Sequence, residues 1–124
     1  MKASSYDPRA EILWSATDDW VSLSEAAWIV RDEQPVDPVA WKRETLALLA
    51  DLLREKLMIV GDVSEEFRPW QLSDDDAVKE IDRRWEEPFE DISPFHGVWF
   101  ANTPAGEVLA EQLADAGMTS RPEG

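Results

Sequence analysis

The only histidine, His96, sits in the turn-like stretch Pro94-Phe95-His96-Gly97. General acid or base catalysis needs such a group held beside a partner in a pocket, and the sequence around His96 specifies neither. Three consecutive carboxylates, Asp74, Asp75 and Asp76, could in principle hold a divalent cation. Calcium loops, however, alternate their ligands around a glycine turn and close with a distant Glu. Ser73 followed by three Asp fits a helix start better, because carboxylates are favoured at the positive end of the helix dipole. The pairs Glu65-Glu66, Glu86-Glu87 and Glu90-Asp91 each offer the two carboxylates that glycosidic chemistry uses. In so acidic a chain such pairs are expected on solvated faces. There is no Gly-rich phosphate loop and no Gly-x-Ser-x-Gly nucleophile elbow among the five scattered glycines. The absence of Cys removes disulfides and thiolate metal sites. These features point away from an enzyme, a bound cofactor and a metal.

Charge is the strongest compositional feature: 27 acidic residues against 12 basic ones give −15 over 124 residues. Binding to a phosphate backbone depends on Lys and Arg displacing counterions, so this balance disfavours nucleic acid. It favours solubility and suits a basic partner. Seven Trp stand out, namely Trp14, Trp20, Trp28, Trp41, Trp70, Trp85 and Trp99. Most are expected as core anchors, and one or two could mark an interface, where Trp is enriched. The most promising place for an interface is an acidic stretch rich in aromatic residues. Phe67 and Trp70 precede its helix, and Trp85, Phe89 and Phe95 follow it. These five can pack on the core or dock a partner. No apolar run has the length of a signal peptide or of a membrane span, so the expectation is a soluble cytoplasmic protein without membrane contact.

The elements that would carry these residues are marked by capping chemistry. Asp7-Pro8 opens a first helix that buries Ile12, Leu13 and Ala16 and ends near Asp18. Ser22 and Glu25 have capping-box spacing, which predicts a second helix over Leu23 to Arg31. Asp37-Pro38 opens a third helix to about Lys56, with Trp41, Leu46, Leu49, Leu52 and Leu53 on one face. Leu57 to Val63 reads as a strand. Ser73 caps a further helix with a stripe of Val78, Ile81 and Trp85, stopped by Pro88. Gly97 to Ala101 is a second strand. Thr103-Pro104 opens the last helix, with Val108, Leu109, Leu113 and Ala116 expected inward and Gly117 after its end.

Three stretches in this order resemble the winged helix-turn-helix superfamily. Trp20-Val21-Ser22-Leu23-Ser24-Glu25 is similar to its short first strand leading into helix two. Leu52 to Val60 is similar to its third helix running into the first wing strand. Trp99-Phe100-Ala101-Asn102-Thr103-Pro104-Ala105-Gly106 resembles the return strand and the Leu-Thr-Pro-x-Gly-like start of the last helix, with Asn102 in place of the usual apolar residue. The resemblance implies an α+β, mainly helical domain over residues 1–117. It would hold about five helices and a small antiparallel sheet with strands near 20–22, 57–63 and 97–101, followed by a tail over 118–124. It departs from the pattern between the wing strands. Residues 61–96 form an insertion with twelve Asp or Glu against four Lys or Arg, a balance of −8. The superfamily's third helix enters the major groove, but here Lys42, Arg43, Arg54 and Lys56 are offset by Glu44, Asp51 and Glu55. The expected function is therefore a non-enzymatic interaction module that binds a basic protein or self-associates. The alternatives are a dimeric DNA-binding regulator and a small enzyme with a pocket around His96.

Overall fold

A computed structural model describes residues 7–31, 38–63, 65–85 and 98–119. Helix α1 spans Pro8–Ser15 and opens as its sequence dictates. The Asp7 carboxylate accepts from the Arg9 N–H at 3.0 Å, and Pro8 fills a position whose N–H needs no partner. Helix α1 ends three residues before Asp18. After strand β1 (Val21–Ser22), helix α2 (Leu23–Arg31) starts on the expected capping box. The Glu25 N–H donates to Ser22 Oγ at 3.1 Å, and the Glu25 carboxylate accepts from the Ser22 N–H in return.

Helix α3 (Pro38–Arg54) is the longest element. It ends in a left-handed turn at Lys56, φ 61°. The Leu57 N–H donates to the Leu52 carbonyl and the Lys56 N–H to that of Leu53, the paired bonds of a Schellman ending. The chain then enters strand β2 (Met58–Val63) and turns back through β3 (Phe67–Pro69). Helix α4 (Asp74–Arg84) is capped by Ser73, whose Oγ accepts from the Asp76 N–H at 3.1 Å. Strand β4 (Trp99–Asn102) and helix α5 (Pro104–Asp115) complete the described chain.

The four strands form one antiparallel sheet in the order β1-β4-β2-β3. Val21 pairs with Phe100, which on its other side pairs with Val60, so all three side chains share one face. With Met58 and Val98 they are buried against Ile12, Leu13, Leu23, Leu49, Leu52 and Ile81 in a single core cluster. Among the described residues the fold is thus α+β and mainly helical, with five helices.

Three details differ from the sequence reading. The sheet has a fourth strand, β3, inside the insertion. Gly61 permits it: a Cβ there would collide with the Arg68 carbonyl of the partner strand. Helix α4 stops at Arg84, before Pro88. Helix α5 turns only part of the expected face inward: Leu109 and Leu113 pack on the core, but two other positions do not. Val108 is 58 % exposed and Ala116 is also exposed, while Gly106, Ala110 and Ala114 are buried with Leu109 and Leu113 beside them. Gly106 lets the start of α5 approach the Leu57 carbonyl closely, and the small residues Ala110 and Ala114 follow on the same face, with α5 packed mainly on α1.

Candidate functional site

Helix α4, the helical part of the insertion, lies against α3. Ala77, Ile81 and Trp85 are buried there. Trp85 meets Trp41 edge-on with ring centres 5.9 Å apart, and Trp41 in turn packs on Trp28 at 5.5 Å. The Trp41 indole N–H donates to the Ala27 carbonyl at 2.8 Å, which ties α3 to α2. Thr45, also fully buried on α3, donates its hydroxyl to the Trp41 carbonyl at 2.8 Å.

Charges reinforce this packing. Lys42 pairs with Asp82 at 2.8 Å, Arg54 with Asp75 at 2.9 Å and Lys56 with Asp74 at 2.9 Å. Three cations on or just beyond α3 are thereby engaged by carboxylates of α4. The acidic run at 74–76 has a local role beyond capping, and no cluster of His, Asp or Glu fit to hold a metal occurs among the described residues.

The β2–β3 hairpin is latched to the far end of α4. The Trp70 indole N–H donates to Asp62 at 3.0 Å, and the Arg84 guanidinium lies 4.7 Å over the Trp70 ring. Arg84 also reaches Glu80 at 2.6 Å and Asp62 at 3.8 Å. Arg83 and Arg84 together hold the Glu80 carboxyl down to about 2. A small apolar pocket of about 130 Å³ lies beneath the hairpin, lined by Leu53, Met58, Val60, Trp70 and Leu72. Lys56, Asp74 and Thr103 also border it, but Lys56 and Asp74 pair with each other at 2.9 Å and the Thr103 hydroxyl is taken up at the start of α5.

A larger cleft, about 580 Å³, opens on the outer face of the sheet beside β1 and β4. The end of α1 supplies Trp14, the following turn Asp18, Asp19 and Trp20, the start of α2 Glu25, and β4 Trp99. Trp20 is 36 % exposed and tilts against Phe67 of the hairpin with ring centres 5.9 Å apart. The register pairs Trp99 with Ser22 and with Gly61, which places it on the sheet face opposite the core. The cleft is lined by three indoles and three carboxylates and by no basic side chain.

Its electrostatics show in Glu25. Packing around the carboxyl raises its pKa most, Asp19 and Glu11 raise it further by repulsion, and the bond from the Ser22 N–H opposes them. An acid whose folded-state pKa is raised loses stability as pH climbs from its ordinary value through the raised one, and the loss persists above it. Glu25→Gln keeps an acceptor for Ser22 and removes the charge. The variant is expected to melt slightly above the parent at pH 7 and level with it near pH 3, where Glu25 is protonated in both states. A lower melting temperature at pH 7 would show that the charged cap matters more than the repulsion.

The residues singled out from sequence are dispersed. Phe67 and Trp70 sit half-buried on the hairpin, Phe67 beside the cleft and Trp70 in the latch. Trp85 is only 5 % exposed and belongs to the core, so it offers no partner surface. Phe89, Phe95 and His96 lie outside the described residues. The cleft residues Trp14, Trp20, Glu25 and Trp99 carry no shared motif; the one signal in the sequence was an unusual number of Trp. No helix among the described residues is long and apolar enough to cross a membrane. No family model, curated protein or solved structure matches this chain.

Proposed function

We propose that this chain is a non-enzymatic protein-interaction module on a winged-helix-like scaffold, and that its partner is a basic protein segment. The order of elements supports the scaffold. The strand before α2 pairs with the return strand β4, which pairs with the strand that follows α3. One observation carries the functional reading: α4 of the insertion packs along the helix that would read DNA and engages three of the four cations on or just beyond it, Arg43 being the fourth. Lys42, Arg54 and Lys56 are engaged by Asp82, Asp75 and Asp74. Meanwhile Asp18, Asp19 and Glu25 have no ion pair among the described residues. What remains for a partner is a negative surface inlaid with indoles, the complement of a cationic peptide rather than of phosphate.

Column retention at 50 mM salt, a level at which phosphate contacts hold strongly, separates this reading from a dimeric DNA-binding regulator. The protein is expected to pass through immobilised heparin and duplex DNA and to be held by an immobilised arginine-rich peptide. Retention on DNA that falls steeply with salt, with no hold on the peptide, would favour the regulator.

A further inference from the structure

Within the basic-partner reading, on which this inference rests, we infer that the cleft between α1, β1 and β4 is a pocket for an arginine side chain of the partner. The cleft is open and, at about 580 Å³, has ample room for one long side chain. Trp14, Trp20 and Trp99 supply π-faces that attract a cation. Asp18, Asp19 and Glu25 supply negative charge, and Glu25, its pKa raised mainly by burial, also feels repulsion from Asp19. A cation placed among them would relieve that repulsion and stack on indole at once.

The carboxylates select among cations. Asp19 accepts the Trp20 N–H at 2.8 Å and Glu25 accepts that of Ser22, so each keeps further lone pairs for a donor. A quaternary ammonium has no N–H to give them. A guanidinium has five in a planar fork that can stack on an indole while bonding a carboxylate, which a compact ammonium does less well. The chain builds such an arrangement with its own residues: Arg84 lies 4.7 Å over Trp70 while bonding Glu80 at 2.6 Å, with Asp62 at 3.8 Å. The cleft has indoles and carboxylates like those of that clamp, with no basic side chain among its described lining residues.

The test uses the full chain with nitrogen-15 labelling and two blocked peptides of equal charge, octa-arginine and octa-lysine. The indole N–H signals of Trp14, Trp20 and Trp99 are expected to move on adding octa-arginine, while those of Trp41 and Trp85 stay in place. Octa-arginine should bind about threefold more tightly than octa-lysine, or better. Trp20→Ala, which changes no charge, should weaken octa-arginine about fivefold with little change in melting temperature. Glu25→Gln, a conservative change at a surface group, should weaken it as well. Equal affinity for the two peptides would overturn the choice of arginine. Binding that moves other signals, with Trp20→Ala and Glu25→Gln like the parent, would overturn this site while leaving a basic partner in place. Failure of both peptides to bind would overturn the basic-partner reading itself. Movement of the same three signals on diluting the protein alone would identify a second copy as the occupant and overturn the proposal.

Discussion

Trp85→Ala is expected to destabilise the protein by about 3–5 kcal/mol, the usual range for truncating a large buried aromatic residue. At about 4 °C per kcal/mol for a chain of this length, the melting temperature should fall by about 12–20 °C. The reason lies in how α4 is held. Its ion pairs with α3 are solvent-exposed, and such pairs contribute about 0–1 kcal/mol each. The apolar seam of Ala77, Ile81 and Trp85 is buried, and Trp85 ends it by closing on Trp41. Removing the indole leaves a void beside a ring that also joins α3 to α2 through the Ala27 carbonyl. Thermal melts followed by circular dichroism measure the loss. A drop below about 4 °C would mean that Trp85 is a surface group and that α4 is docked by charge. Asp82→Asn, which removes one ion pair, should by contrast cost under about 1 kcal/mol.

Gly106→Ala is the second large effect, and its sign opposes local propensity. Alanine in a helix is favoured over glycine by about 1 kcal/mol. At this position, however, the added Cβ would run into the backbone carbonyl of Leu57. That carbonyl is not free to retreat. It accepts from the Thr103 N–H at 2.9 Å, while the Thr103 hydroxyl donates to the adjacent Lys56 carbonyl at 2.7 Å and caps α5 by accepting from the Gly106 N–H at 3.1 Å. Overpacking against fixed backbone costs about 1–3 kcal/mol, and each hydrogen bond displaced adds about 1 kcal/mol. The net expectation is a loss of about 2–3 kcal/mol, measurable as a lower denaturant midpoint at unchanged slope. A gain in stability would show that α5 can move away from Leu57 at little cost.

That same contact gives the Thr103-Pro104-Ala105-Gly106 motif a physical content. Thr103 caps, Pro104 starts the helix, and Gly106 allows the approach. Such local chemistry was legible in the sequence, as were Asp7-Pro8 and the Ser22–Glu25 box, because each joins residues within one turn. Strand β2 was legible too, from its apolar run ended by Gly61 and Asp62. The misread parts depend on distance along the chain. The inward face of α5 is set by its close packing, Gly106 on Leu57 and the helix along α1, so periodicity of large apolar residues pointed to Val108, on the exposed face. Strand β3 is three residues long and ends in Pro69, too short to leave a pattern. The stripe holding Trp85 was visible, but whether it met the core or a partner depended on α3 lying opposite.

The cleft was the least legible feature. Its indoles come from α1, a turn and β4, and its carboxylates from that turn and α2, segments that only the sheet brings together. The Asn102 side chain helps fix the geometry nearby. Its amide donates to the Leu13 carbonyl at 2.9 Å and to the Glu107 carboxylate at 3.1 Å, tying the end of β4 to α1. Both partners are acceptors, so the amide orientation is determined by chemistry. An apolar residue at this position could not make that tie.

On the proposed function, the negative, indole-lined surface would bind a cationic peptide and not a phosphate backbone. Fluorescence anisotropy with labelled octa-arginine and, separately, with a labelled DNA duplex tests it most directly, each titrated with the protein at several salt concentrations. Saturable binding of the peptide at low salt, weakened about fivefold by Trp20→Ala, together with no binding of the duplex, is the predicted result. Tight duplex binding that falls steeply as salt rises, with the peptide unbound, would contradict it.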